Sequence, residues 1–499
     1  MNNSADSKAY DVIVVGAGNA ALCAALSAQE QGASVLVLER APQEQRGGNS
    51  TYTAGGFRIA HSGLEDIRQF VPDLSAEEIA NTDFGSYTVE EYLDDLGRVT
   101  EYRIDPDLAE ILARRSNETV KWIRQKGIPF VPKYGKNAFK HEGRFKFFGG
   151  VVIEARGGGR GLVDAEFKAA EKQGVAIRYG ARAVALLHGR DGVEGVRVIS
   201  DRVAEDIRSR AVVLACGGFE ANREMRARYL GRGWDLAKVR GTRYNTGDGI
   251  NMALKIGAQP YGHWTGAHAC DWDLNAPEYG DLSVGDAYSK HSYPSGIAIN
   301  ANGVRFLDEG ADIRNYTYAK YGRIILEQPG QFCWQIFDSK VLHLLRNSYR
   351  IKQCTKVTGN TLEELVGRIE GINREQTLKT ITEFNAAVMK DVPFDPNVKD
   401  GRGTTGLTIP KSNWALAIDT PPYEAYGVTC GITFTFGGVK ITTQGEVVDT
   451  AEQPIPGLYA AGELVGGIFY SNYPGGAGLT NGAVFGKLAG EHAGRYATA

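Results

Sequence analysis

An apolar run entering a glycine-rich turn within residues 11–40, a returning strand-and-glycine pattern at residues 428–463, and a stretch between about 264 and 421 lacking both predict an α/β fold. These features describe a Rossmann-type domain built from residues 1–264 and 422–499, with residues 265–421 inserted as an α+β capping domain. Length agrees, because 499 residues exceed what one hydrophobic core usually organises.

The first element is Val12–Val15, an apolar β-branched run without polar interruption, as expected of a parallel strand buried on both faces. Gly16 permits a tight turn, Gly18 lets the backbone approach a pyrophosphate, and the small Ala21 lets the next helix, running to about Gln31, pack on the strand. Asn19 and Ala20 fall in its first turn, where free N–H groups and the helix dipole favour phosphate. Gly32 stops the helix. The strand Ser34–Leu38 then ends in Glu39, 21 positions after Gly18, where a carboxylate can accept both hydroxyls of an adenosine ribose, with Arg40 beside it. Strand, glycines, helix, strand and acid in register identify a dinucleotide site, without separating FAD from NAD.

With 42% hydrophobic residues, 23% charged residues and a net charge of −3, the composition is that of an ordinary globular protein, with no basic excess for nucleic acid. The 63 glycines cluster in turns between apolar strands, which suits a cofactor wrapped by backbone. Cys23, Cys216, Cys270, Cys333, Cys354 and Cys430 are scattered, so neither a disulfide framework nor a metal site is expected, and no motif attaches haem or an iron–sulfur cluster. An electron acceptor is therefore expected to be an external molecule. The N-terminal segment has no basic stretch followed by an apolar one, so the expectation is a cytoplasmic chain with no transmembrane segment.

After Glu39 comes the small-residue loop Gly47-Gly48-Asn49-Ser50-Thr51, and then Gly55-Gly56. It resembles the loop of the fumarate reductase and succinate dehydrogenase flavoprotein family that passes along the ribityl chain and isoalloxazine of FAD. The resemblance implies a glutathione reductase-like FAD-binding domain. Members with covalent FAD carry a histidine here; that position falls at Asn49, which implies non-covalent FAD.

The amphipathic helix predicted over 105–127, with Leu108, Ile111, Leu112, Val120 and Ile123 on its apolar face, is scaffold. Arg156–Gly161, before a helical stretch Leu162–Gln173, either brings N–H groups to the cofactor or is a plain helix start. Short strands from Val175 to Leu214, which include Ala183, form a meander ending in Cys216-Gly217-Gly218; Thr246-Gly247-Asp248-Gly249 and a helix Ile250–Ile256 follow. The resemblance places Ala183, Gly217, Gly218 and Asp248 at the cofactor, together with Gly462 and Glu463. It adds Gly478, Leu479 and Thr480 at the start of the last helix, expected near Thr480, whose positive end can face the flavin edge that gains charge on reduction.

Desaturating a CH–CH unit beside a carbonyl needs a base, a hydride acceptor and positive groups for the enolate-like charge; reducing C=C uses the same parts backwards. Arg305-Phe306-Leu307-Asp308-Glu309, followed by Arg314, resembles the family segment bearing the proton-carrying arginine, with one extra residue before it. Arg314 is thus a proton carrier or a structural salt bridge. His268 matches a remaining family histidine or is a satisfied histidine. Two family positions differ: a histidine before Thr-x-Gly-Gly is Phe434, and the arginine that grips a substrate carboxylate is Tyr473. Tyr473-Pro474-Gly475 resembles tricarballylate dehydrogenases and, more distantly, 3-ketosteroid Δ1-dehydrogenases, whose tyrosine polarises a ketone.

Keeping arginine deprotonated at neutral pH costs roughly 7 kcal/mol, against roughly 4 kcal/mol for tyrosine. Tyr318, predicted to share a helix face with Arg314, is therefore a second base candidate or a packing aromatic. The expected activity is an FAD-dependent dehydrogenase forming C=C α,β to a small carboxylate or ketone, tricarballylate dehydrogenase-like. The alternatives are a fumarate reductase-like ene-reductase, a 3-ketosteroid or cyclic-ketone dehydrogenase, and a non-catalytic electron-relay flavoprotein.

Overall fold

The computed structural model describes residues 10–141, 143–147 and 149–499, so the N-terminal segment behind the localisation reading lies, through residue 9, outside the described residues. The chain forms two compact units. One runs to Gly231 and takes up Gly241–Ala267 and Phe434–Ala499; the other comprises Arg232–Arg240 and His268–Thr433.

In the first unit, five strands lie parallel in the order Pro454–Ala460, Val203–Leu214, Tyr10–Val15, Val35–Leu38 and Ala176–Arg178. Val12, Ile13 and Val14 in the middle strand are fully buried, which explains its unbroken apolar run. The first half of Val203–Leu214 pairs with the antiparallel hairpin Arg182–Gly189 and Gly192–Ser200, giving the meander. Parallel alignment brings the carboxyl ends of four strands to one edge, so Gly16, Glu39, Gly217 and Gly462 all follow strands there, where open α/β sheets bind ligands.

Helix Asn19–Glu30 packs against the last helix, Ala477–Thr498. Gly486, Gly490 and Gly494 recur every four residues and so share one face. A Cβ would stand 2.3 Å from the Ala20 carbonyl oxygen at Gly486, 2.1 Å from that of Ala24 at Gly490, and 2.9 Å from that of Ala28 at Gly494. Backbone thus meets backbone. Two helices begin earlier than their sequences suggest: the last at Ala477, not near Thr480, and Gly158–Lys172 four residues before Leu162. Both follow glycines in the left-handed region, Gly476 (φ 85°) and Gly157 (φ 85°), and a glycine-rich first turn reads locally as loop.

The second unit is α+β. Phe332–Phe337 pairs antiparallel with Glu424–Thr429 on one side and with Ile297–Asn300 on the other, and Lys356–Gly359 joins the strand that begins at Tyr423. Helices Leu362–Arg368 and Arg374–Ala387 contribute Leu365, Ile381 and Phe384 to a core with Ile299, Trp334 and Ala425. Among the described residues no helix is long and apolar enough to cross a membrane, and no His, Cys, Asp and Glu cluster could hold a metal ion.

The helix contact yields a test. Alanine usually gains about 1 kcal/mol over glycine in a helix, whereas overpacking costs about 1–3 kcal/mol. With a backbone oxygen 2.1 Å from the added carbon, the clash should win, so Gly490→Ala is expected to lower the melting temperature. A raised melting temperature would show that the helices can part cheaply.

Candidate functional site

Gly16 has φ 106°, and a Cβ there would lie 2.4 Å from the Ala215 carbonyl oxygen, so only glycine passes between the first strand and its neighbour. Gly18 precedes the helix with its nearest foreign atom, Ser50 Oγ, at ordinary contact, and Ala21 is fully buried. Ala41 N–H donates to Glu39 Oε1 at 2.7 Å. Burial raises the Glu39 pKa to about 7, opposed by N–H donors of Ala41, Arg40, Gly47 and Ala17. Ala181 N–H donates to the Glu39 carbonyl at 2.9 Å, bringing the strand that contains Ala183 alongside. Arg40 donates to Asp248 Oδ2 at 3.1 Å and to Thr246, and Arg182 donates to the same carboxylate at 2.9 Å. Two residues expected at the cofactor, Arg40 and Asp248, thus hold each other.

The other loops are tied together by hydrogen bonds. Asn19 N–H donates to Ser50 Oγ at 3.1 Å, and its side chain to the Leu479 carbonyl at 2.8 Å. Thr480 Oγ1 donates to the Arg58 carbonyl at 2.9 Å; Arg58, fully buried, donates through Nε to the Gly475 carbonyl at 2.9 Å and through Nη1 to Asp95 at 2.9 Å. Sequence reasoning missed Arg58, whose one signal is a charge in the run Gly56-Phe57-Arg58-Ile59-Ala60. Asn49 Nδ2 and Asn245 Nδ2 both donate to Glu220 Oε1 at 2.6 Å, while Thr242 N–H donates to Asn49 Oδ1 at 2.8 Å. Glu463, expected at the ribityl chain or pyrophosphate, accepts from Thr435 N–H at 2.9 Å and lies beside Glu220. Burial pushes both carboxyls up, and the Glu463 charge pushes Glu220 further. A Cβ would lie 2.3 Å from Asn245 at Gly217 and 2.2 Å from Glu463 at Gly218, so these glycines make room for this network.

Tyr473 is 7% exposed, with Phe434 (5.2 Å, 81°) and Phe469 (5.4 Å, 77°) edge-to-face against its ring. In the second unit, the one helix expected to carry Arg314 and Tyr318 is two elements: a 3₁₀ turn Arg314–Tyr316 and a helix Tyr318–Leu326. Thr317, at φ −119°, breaks the run, yet Arg314 Cζ still lies 5.0 Å from the Tyr318 ring centre. Among the described residues Arg314 makes no carboxylate ion pair, and its buried Nε has no hydrogen-bond partner. His268 meets the same tyrosine edge-on at 5.1 Å, and His291 meets it at 5.0 Å.

Burial, then the Arg240 cation, holds His268 well below the usual histidine range; burial, then Arg314 and Arg240, does the same to His291. Arg240 is bound to Asp286 at 2.6 and 2.9 Å. Burial and the Arg314 cation lower Arg346 to about 9. Arg305, by contrast, clasps Glu309, which also accepts from Ala298 N–H at 2.8 Å, so the segment before Arg314 is a structural brace. His291 and Arg346 were not foreseen, having no local motif.

Whether FAD fits can be tested on the first unit. Gly48 has φ 54°, and a Cβ there would meet nothing within 4 Å, so its loop is open on that side; at Gly47 it would meet Thr51 at 2.3 Å, at Gly55 the Gly158 backbone at 2.7 Å, and at Gly56 Lys133 at 3.0 Å. Asn481 Oδ1 is buried without a partner. A carboxylate for ribose hydroxyls, two glycine-led helix N-termini and an open glycine loop fit the groups of FAD.

The FAD binding domain family matches residues 11–479. The chain belongs to this family. It is an FAD-dependent oxidoreductase, similar to fumarate reductase flavoproteins. A probable fumarate reductase of Shewanella frigidimarina is 31% identical over 98% of this chain and 76% of its own. A 4-oxocyclohex-2-ene-1-carboxylate 5-dehydrogenase of Sinomonas cyclohexanicum is 27% identical over 98% of this chain and 95% of its own. The open conformation of a flavocytochrome c3 fumarate reductase superposes with a TM-score of 0.75 at 28% identity, covering 99% of this chain and 80% of that one. The 3-ketosteroid Δ1-dehydrogenase of Sterolibacterium denitrificans shares the fold, with a TM-score of 0.74 at 21% identity over 98% of this chain and 100% of that one.

A Glu39 carboxylate accepting the ribose hydroxyls would make FAD binding pH-dependent. Its protonated form loses an acceptor for ribose hydroxyls, and a carboxyl with a pKa of about 7 ionises across the neutral range. Affinity of the apoprotein for FAD should therefore rise with pH below 7, by at most about tenfold per unit, and level off above it. Flavin fluorescence titrations from pH 5.5 to 8.5, with Glu39→Gln losing the slope, check this; equal slopes would remove Glu39 from the site.

Proposed function

We propose that the protein is a tricarballylate dehydrogenase-like desaturase, forming C=C next to the carbonyl of a carboxylate or ketone larger than succinate. The observation that carries this reading is Tyr473 caged by Phe434 and Phe469, with Tyr473 and Phe434 standing where the resemblance to fumarate reductases expects an arginine and a histidine. A guanidinium grips a carboxylate through two charged hydrogen bonds, whereas a phenol offers one neutral donor suited to a ketone or a single carboxylate oxygen.

Non-covalently bound FAD supplies the two-electron acceptor, and an external molecule takes the electrons onward. In this reading Tyr473 polarises the carbonyl, Arg314 carries the proton and stabilises the developing charge, and Tyr318 against it shares the base role. His268, kept neutral by burial and Arg240, serves as an orienting hydrogen-bonding group. The glycine loops, with Asn49 where a covalent member has histidine, hold the cofactor. Reduction of C=C is the second reading, favoured by the relative named a probable fumarate reductase.

An anaerobic screen of carboxylates and cyclic ketones against the FAD-loaded protein should find a saturated compound that bleaches the flavin, with succinate a poor one; bleaching by none would leave electron relay in its place. With the substrate found, Arg314→Ala should keep FAD and lower turnover by at least roughly 10²- to 10⁴-fold. Tyr473→Phe should lower it by roughly 10²- to 10³-fold, the effect of removing one donor to developing charge. Efficient succinate or fumarate turnover combined with indifference to Tyr473→Phe would overturn the reading.

A further inference from the structure

In the FAD-binding unit, the turn Tyr473-Pro474-Gly475-Gly476 places the phenol beside two glycines, the residue type that loses most conformational freedom when a chain is ordered. Pro474 fixes its own φ, but Gly475 and Gly476 have no side chain to anchor, and Gly476 sits in the left-handed region at φ 85°. Arg58 supplies the anchor. Its N–H donates to the Gly476 carbonyl at 3.1 Å and its Nε to the Gly475 carbonyl at 2.9 Å, while its own carbonyl accepts from Thr480 Oγ1 at 2.9 Å. At the far end of the same guanidinium, Nη1 donates to Tyr87 Oη at 2.7 Å and to Asp95 Oδ2 at 2.9 Å, and Tyr87 Oη donates to that carboxylate oxygen at 2.7 Å. Asp95 belongs to helix Val89–Val99, so one fully buried side chain ties that helix to the turn that leads into helix Ala477–Thr498. The Tyr473 ring lies on the first turn of the latter: a Cβ at Gly478 would stand 3.7 Å from Tyr473 Cε2. The dipole disfavours a cation at a helix N-terminus, so stabilising the last helix does not account for the charge. Fixing the Gly475 carbonyl does.

We infer that Arg58 is the positioning residue for Tyr473: it fixes the two glycines, through them the ring, and so the direction of the phenol O–H. This rests on the desaturase reading, in which Tyr473 polarises the substrate carbonyl; Arg58, fully buried, acts through the turn. A phenol that offers one hydrogen bond is sensitive to aim, because a shift of about 1 Å in a catalytic group can cost roughly 10²-fold in rate. The shape of the guanidinium matters as much as its charge. Nε serves the Gly475 carbonyl and Nη1 serves Tyr87 and Asp95, from one rigid plane. A lysine ammonium would keep a charge opposite Asp95, but as a point on a flexible stem it does not hold both ends at once.

The test compares Arg58→Lys, Tyr473→Phe and the double variant, each loaded with FAD. Losing a hydrogen bond to a charged group corresponds to roughly 10- to 100-fold, so hydrogen–deuterium exchange of the amides at 475–478 should rise at least about tenfold in Arg58→Lys. Exchange in the buried strand Tyr10–Val15 should not change. With tricarballylate and 4-oxocyclohexanecarboxylate as substrates and a dye as acceptor, Arg58→Lys should lower kcat by roughly 10- to 10²-fold and move KM by less than about threefold. Made on Tyr473→Phe, the same substitution should lower kcat by less than about twofold, because the group it positions is already gone. The bound-flavin spectrum and melting temperature identify misfolding, in which case Tyr87→Phe, which removes one partner of Nη1 and keeps the arginine, takes its place with smaller shifts of the same sign. Unchanged exchange at 475–478, exchange raised equally throughout the unit, or the same loss of kcat with and without the Tyr473 hydroxyl would overturn the proposal. Turnover of neither compound would count against the desaturase reading alone, and the exchange comparison would then decide whether Arg58 anchors the turn.

Discussion

The Glu220 carboxyl is the point on which the loops of the FAD-binding unit depend. It accepts from Asn49 and Asn245 at 2.6 Å each, beside a second buried carboxyl, Glu463. Burial pushes both pKa values up, and the Glu463 charge raises Glu220 further. Removing Glu220 would take from both amides the one oxygen they share as acceptor. Because Asn49, Asn245, Glu220 and Glu463 come from four separate loops, one carboxyl fixes the edge of the sheet. The glycines at 217 and 218 follow from it, since any side chain there would strike the network.

What local pattern could reveal was the frame. Buried parallel strands read as unbroken apolar runs, and Gly16 and Glu39 sit at strand ends where the turn and the sheet edge require them. Helix starts were less legible: glycine at Gly157 and Gly476 looks like punctuation, although its left-handed freedom is what lets each helix begin. The four-residue spacing of Arg314 and Tyr318 suggested one helix; Thr317 interrupts it, and the side chains meet across the break. Spacing gave the neighbour and the wrong element.

Arg58, Glu220, His291 and Arg346 were illegible for a different reason. Arg58 reaches a carbonyl 417 positions away and Asn49 a carboxyl 171 positions away, and such bonds leave no periodicity in the intervening sequence. A buried polar residue reads as an ordinary polar residue until its partner is placed. Departures from a family pattern were more informative: Phe434 and Tyr473 stand out because charge is missing where resemblance expects it, and the structure shows apolar ring packing there.

The two units therefore differ in the charge they carry toward chemistry. In the FAD-binding unit, Tyr473 is enclosed by phenylalanines and offers a neutral donor. In the other, charge is carried by arginines, while burial and those same cations keep His268 and His291 neutral. A histidine-based anion site would gain or lose charge between about pH 5 and 8; arginine does not titrate there, and even Arg346, lowered to about 9, stays charged at neutral pH. The cationic field is thus constant across the range in which Glu39 titrates. Loss of arginine charge in this cluster therefore contributes no pH dependence near neutrality, where Asp271 of the same unit, pushed up to about 7 by burial, does titrate.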